Sequence, residues 1–136
     1  MGDPMSGPRG TILIVDDDFD TAESLRLILE NEGYAVQHAA NGLEGVNLAR
    51  TDPPDLIFLD ILMQKKDGLT TFGELKNDAT LAAIPVIMLT SVSERLGFSF
   101  TSDDMETYYG KAPEAFMKKP FDPPMLLKTV KELIKG

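Results

Sequence analysis

Twice in this chain an unbroken apolar tetrapeptide runs straight into aspartate. Ile12-Leu13-Ile14-Val15 leads into Asp16-Asp17-Asp18, and Leu56-Ile57-Phe58-Leu59 leads into Asp60. Four apolar residues in a row leave no polar face, which suits a strand covered on both sides and excludes the half-solvated strands of an open antiparallel sheet. The carboxylates then mark where each strand leaves the core.

Helical spacing fills the intervals. Ala22, Leu25, Ile28 and Leu29 share one face of a first helix, for which Asp20 is the expected N-cap and Gly33 the expected stop. A second strand is expected over residues 34–39, and a second helix over 41–50 that breaks at Pro53-Pro54. A third strand is read over 55–60, a third helix over 69–77, a fourth strand over 85–89 with Thr90 at its end, and a fifth over 115–118. Leu126, Leu127, Val130, Leu133 and Ile134 mark a closing amphipathic helix that begins near Pro123-Pro124. Strands alternating with helices at this interval imply an α/β fold, with a parallel sheet and helices on both faces.

Two stretches break the rhythm. Residues 1–10, with Gly2, Pro4, Gly7, Pro8 and Gly10, cannot offset their ordering entropy and read as a flexible leader or expression remnant. Residues 91–100 read as a long loop ahead of a helix over 102–109, a segment that carries Phe98, Phe100, Tyr108 and Tyr109. Those aromatics suit either a cover for the sheet edge or a contact patch for a partner.

Composition narrows the chemistry. The chain of 136 residues has no cysteine and one histidine, which removes disulfides, thiol nucleophiles, thiolate metal sites and multi-histidine sites. With 13 basic against 22 acidic residues the net charge is −9, a field that repels phosphate backbones and anionic lipid surfaces. Direct DNA binding and membrane insertion are not expected, and with neither a signal sequence nor a spanning segment the chain reads as cytoplasmic.

In an open parallel sheet, ligands bind at the carboxyl ends of the strands where strand order reverses. That rule gathers Asp16, Asp17, Asp60, Thr90 and Lys119 at one edge. Carboxylates about 4 Å apart repel by about 1 kcal/mol per pair in water and by about 4 at an effective dielectric of 20, so the group calls for a cation. Oxygen-only ligands that also meet phosphate favour Mg²⁺, with Mn²⁺ as the substitute. So placed, Asp60 can act as a nucleophile and form an aspartyl phosphate, with Lys119 and Thr90 holding phosphoryl oxygens.

Taken together, Val15-Asp16-Asp17, Asp60 after its apolar strand, Asp67-Gly68, Leu89-Thr90-Ser91 and Lys119-Pro120-Phe121 resemble the receiver domain of two-component response regulators. The resemblance covers about residues 11–135 and implies a flavodoxin-like doubly wound (βα)5 fold, a receiver domain over 11–136. It implies that Asp60 is the phosphoacceptor, that Asp16 and Asp17 are the acidic pair, and that Asp17, Asp60 and the Leu62 carbonyl bind Mg²⁺ directly. Thr90 would be the switch hydroxyl, Lys119 the phosphate-binding ammonium and Phe116 the aromatic switch. The implied partners are a sensor histidine kinase or phosphotransfer protein and a downstream protein target. With no sequence after Gly136, the chain would act as a stand-alone receiver.

This sequence departs from the family pattern in three places. Gln64 stands where many members have proline, and the stretch from Thr90 to Lys119 is longer than usual. Leu62 and Val92, two residues after Asp60 and Thr90, cannot orient an attacking water, which implies slow self-dephosphorylation. A haloacid-dehalogenase-type phosphatase shares the Asp-x-Asp of residues 16–18, but it places its last acidic motif after the threonine and lysine. A pseudo-receiver acting only by binding is the non-catalytic alternative, against which the intact acidic group argues. A calcium loop from Asp16 fails at Thr21 and Leu27, and a flavin phosphate would meet acid after the first strand. His38 reads as a partly exposed polar residue, and Met63, Met88 and Met117 as packing.

Overall fold

The structure is a computed structural model that describes residues 9–60, 68–90, 114–118 and 121–134. Its elements run β1 (Thr11–Val15), α1 (Phe19–Asn31), β2 (Ala35–Ala39), α2 (Gly42–Thr51), β3 (Leu56–Asp60), α3 (Gly68–Asn77), β4 (Val86–Thr90), β5 (Ala115–Lys118) and α4 (Pro123–Leu133). The five strands form one parallel sheet in the order β2-β1-β3-β4-β5. This is the doubly wound α/β arrangement that the alternation implied.

Strand periodicity divides the interior into two cores. Leu13, Val15, Ile57, Leu59, Val86 and Met88 face α2 and α3, whereas Ile12, Ile14, Leu56, Phe58, Ile87 and Leu89 face α1 and α4. All twelve are buried, which is why the runs 12–15 and 56–59 carry no polar residue ahead of Asp16 and Asp60.

The helix ends show how local chemistry sets direction. Asp18, rather than Asp20, caps α1: its carboxylate accepts the Asp20 N–H at 3.1 Å and the Thr21 hydroxyl at 2.7 Å. Asp20 falls inside the first turn instead, where its charge still complements the helix dipole. Gly33 follows the end of α1 with φ at 97°, a left-handed conformation that favours glycine. The Tyr34 N–H still donates to Leu29 O, so β2 begins at Ala35, one residue later than the sequence suggests. At α2, Asn41 is the N-cap, its Oδ1 accepting the Glu44 N–H, while Glu44 Oε1 accepts the Ala40 N–H just ahead of the cap.

The fold also reaches further toward the N-terminus than residue 11. Arg9 N–H donates to Gly33 O, Ala35 N–H donates to Gly10 O, and Gly10 is buried. Both residues, assigned by composition to the leader, are tied to the sheet; residues 1–8 lie outside the described set. So do the loop over 91–100 and the helix expected over 102–109, together with Phe98, Phe100, Tyr108 and Tyr109. Among the described residues no helix is long and apolar enough to cross a membrane.

Candidate functional site

Strand order reverses between β1 and β3, since β2 lies on one side of β1 while β4 and β5 lie beyond β3. The chains leaving these two strands diverge, and the crevice between them receives whatever side chains end the strands. Here those are Asp16, Asp17 and Asp60. One oxygen from each carboxylate lies within 4.8 Å of the others, with Asp16 and Asp60 buried and Asp17 exposed.

The consecutive aspartates after β1 take different tasks. Asp16 is held on several sides: its N–H donates to Ala39 O at 3.1 Å, its Oδ1 accepts the Asp18 N–H at 2.9 Å, and its carbonyl meets His38 Nε2 at 2.7 Å. Asp17 presents its carboxylate at the rim, and Asp18 turns away to cap α1. Behind the crevice, α2 approaches β1 so closely that a Cβ on Gly45 would sit 2.8 Å from Val15 Cγ2. The absence of a side chain at Gly45 therefore lets α2 pack directly against the last residue of β1.

The other expected site residues divide between described and undescribed positions. Thr90 ends β4 beside Lys118 of β5, so its backbone lies at the same edge of the sheet as Asp60. Phe116 is half-buried against the core under α2 and α3. Met88 is buried and Met117 packs on the opposite core, in line with their reading as packing residues. Lys119, Leu62 and Val92 lie outside the described residues, as do Met63, Gln64, Asp67, Ser91 and Pro120. The contact that the sequence did not reveal is that of His38, which depends on β2 lying beside β1 with His38 opposite Ile14.

A divalent cation fits this donor set. The cluster offers only oxygen, two of its three carboxylates are withdrawn from water, and their mutual repulsion is relieved by a positive charge between them. Oxygen ligands with no nitrogen or sulfur select hard ions over soft ones.

Residues 12–131 match the family model for the response regulator receiver domain. The chain belongs to that family. Among its relatives, PilH of Pseudomonas aeruginosa is 35% identical over 127 residues, which cover 92% of this chain and 98% of PilH. The DNA-binding dual master transcriptional regulator RpaA of Synechocystis is 36% identical over 124 residues, 91% of this chain. The chain spans about half of RpaA, 48% of its length. The solved receiver domain of a signal transduction histidine kinase from Syntrophus aciditrophicus superimposes with a TM-score of 0.77 at 36% identity, covering 93% of this chain and 91% of that one. The same receiver module thus occurs in proteins of different length and different description. Membership fixes the fold and the signalling class, and leaves the output open.

Proposed function

We propose that this receiver is a Mg²⁺-dependent phosphoacceptor of a cytoplasmic two-component system, modified on Asp60, whose altered surface binds a protein partner or passes the phosphoryl group on. The observation that carries this is the meeting of Asp60 with Asp16 and Asp17 at the reversal of strand order. Asp16, Asp17, Asp60 and the Leu62 carbonyl are the residues assigned to hold the cation. Bound there, Mg²⁺ supplies the positive charge that offsets both the carboxylates and an incoming phosphoryl group.

An Asp60 carboxylate oxygen attacks the phosphorus of a phosphohistidine on a sensor kinase or phosphotransfer protein. The O–P bond forms as the N–P bond breaks, and the electron pair returns to the imidazole nitrogen, which takes up a proton. Lys119 and the Thr90 hydroxyl are assigned to the phosphoryl oxygens, where a cation and a donor offset charge as it develops. Thr90 and Phe116 then form the two-state element that reports modification to the surface.

Intact-mass analysis after incubation with acetyl phosphate tests the proposal directly. The expected result is a Mg²⁺-dependent gain of one phosphoryl group that is absent in Asp60→Asn. A folded protein that gains nothing under any condition would be a pseudo-receiver working by binding alone.

A further inference from the structure

We propose that His38 is a positioning residue for the acidic site: by donating from Nε2 to the Asp16 carbonyl it orients the Asp16–Asp17 peptide and thereby raises the affinity of the carboxylate cluster for Mg²⁺. This deepens the Mg²⁺-dependent reading above and rests on it.

The contact replaces backbone pairing at the point where pairing ends. β2 runs beside β1 with Ile14 opposite His38 and Val15 opposite Ala39, and the Asp16 N–H donates to Ala39 O just past the last paired residue. Beyond that bond the chain turns at Ala40 and Asn41 to begin α2. There the His38 ring, one residue back on the strand, reaches Asp16 O at 2.7 Å, the short end of the range for an N–H···O bond. A carbonyl only accepts, so the ring carries its proton on Nε2 in this contact.

The acceptor gives the contact its functional weight. The Asp16 carbonyl belongs to the planar peptide that joins the two acidic residues, so fixing its oxygen fixes the direction in which Asp17 leaves the strand. On the other side, the Asp18 N–H donates to Asp16 Oδ1 at 2.9 Å and sets the carboxylate itself. The ring also contacts Phe19 in the first turn of α1, with centroids 6.4 Å apart and planes inclined by 53°. His38 points to the α1 side of the sheet with Val36, which packs against that core. Held between strand and helix, it braces the turn that carries the cation ligands. Partners that orient metal ligands from behind typically change affinity by about 10- to 100-fold when removed. A single bond to a backbone oxygen belongs at the lower end of that range.

The test is a Mg²⁺ titration followed by amide chemical shifts of ¹⁵N-labelled protein, for the wild type, His38→Leu, His38→Met and His38→Gln. The spectra report folding in the same experiment, and a Gln amide offers a donor with reach comparable to Nε2. Expected are a dissociation constant about tenfold weaker in the apolar variants and one within about twofold of wild type in His38→Gln. A folded Leu or Met variant that binds Mg²⁺ as tightly as wild type overturns the assignment while leaving the Mg²⁺ reading intact. A wild type that does not bind Mg²⁺ overturns both. If both apolar variants unfold, His38→Gln decides: wild-type affinity supports the donor role, and a tenfold loss in the folded protein overturns it.

Discussion

Lys76 and Glu114 stand 38 residues apart in the chain and form an ion pair at 3.5 Å, with the lysine side chain 4% exposed. The Lys76 ammonium also donates to Ile84 O at 3.1 Å and Ala82 O at 3.3 Å, and lies 5.8 Å from the centre of the Phe72 ring. Glu114 Oε1 in turn accepts the Val86 N–H at 2.7 Å. One buried cation therefore joins the end of α3, the turn into β4 and the start of β5, at the end of the sheet opposite the carboxylate cluster.

Removing that cation should weaken the fold more than removing its partner's charge. Lys76→Met leaves two backbone carbonyls and a carboxylate without their shared donor, and hydrogen bonds from a charged group are worth about 1.5–3 kcal/mol, so a loss of about 2 kcal/mol is expected in urea unfolding. Glu114→Gln keeps an acceptor for Val86 and loses a charge that is one-third exposed, so less than about 1 kcal/mol is expected. Equal costs for the two variants would show that the buried lysine is not the organising group.

Lys76 also marks where sequence stops being informative. A lysine near the end of a polar helix reads as solvated, and its burial emerges only once α3, β4 and β5 are brought together. Asp16 and Asp60 were legible because an apolar run that ends in a charge identifies a buried strand and its exit at once. Asp18 was harder. Asp18 and Asp20 both lie at the start of α1 and both can cap a helix, and only backbone geometry shows that Asp18 reaches the Asp20 N–H and the Thr21 hydroxyl. The bonds that Arg9 and Gly10 make to Gly33 and Ala35 were not legible for a similar reason, since they depend on the edge strand β2 rather than on the composition of residues 9 and 10.

Three carboxylates gathered at one sheet edge should cost the fold stability when no cation is bound. Asp17 is the exposed member, so neutralising it removes repulsion with little change in packing. In EDTA, Asp17→Asn should be more stable to urea than the wild type, by about 1 kcal/mol in unfolding free energy for one pair of charges near water. Saturating Mg²⁺ should stabilise the wild type more than the variant and shrink or reverse that difference. A variant less stable than wild type in EDTA would show that Asp17 serves the fold rather than the cation.

Acid should act on Asp78 later than on an ordinary carboxylate. Its carboxyl is held at about 2, below the usual 3.8, first by the Thr80 hydroxyl at 2.7 Å, then by Arg50 at 2.9 Å and by the Thr80 N–H at 2.9 Å. Because the folded state binds the proton less readily than the unfolded one, the stability from this group is fully present above about 3.8 and is lost as pH falls towards about 2. Thr80→Val should move the Asp78 carboxyl ¹³C titration upwards, and Asp78→Asn should flatten the dependence of stability on pH within that window alone. An Asp78 midpoint unchanged in Thr80→Val would refute the hydroxyl's role.

The lifetime of the modified state is the last quantity that the sequence addresses. Leu62 and Val92, two positions after Asp60 and Thr90, are aliphatic, so neither can hold a water in line with an aspartyl phosphate. Positioning a water by hydrogen bonds is worth at least several-fold in hydrolysis rate and often far more. The double variant Leu62→Gln, Val92→Gln should therefore lose its phosphoryl group at least about threefold faster than the wild type, as followed by intact mass after removal of acetyl phosphate. Neither side chain is assigned to the phosphoryl group itself, so the yield of modification at saturating donor should reach one group per chain in both proteins. An equal or longer half-life in the double variant would mean that water is excluded by something other than the character of these two side chains.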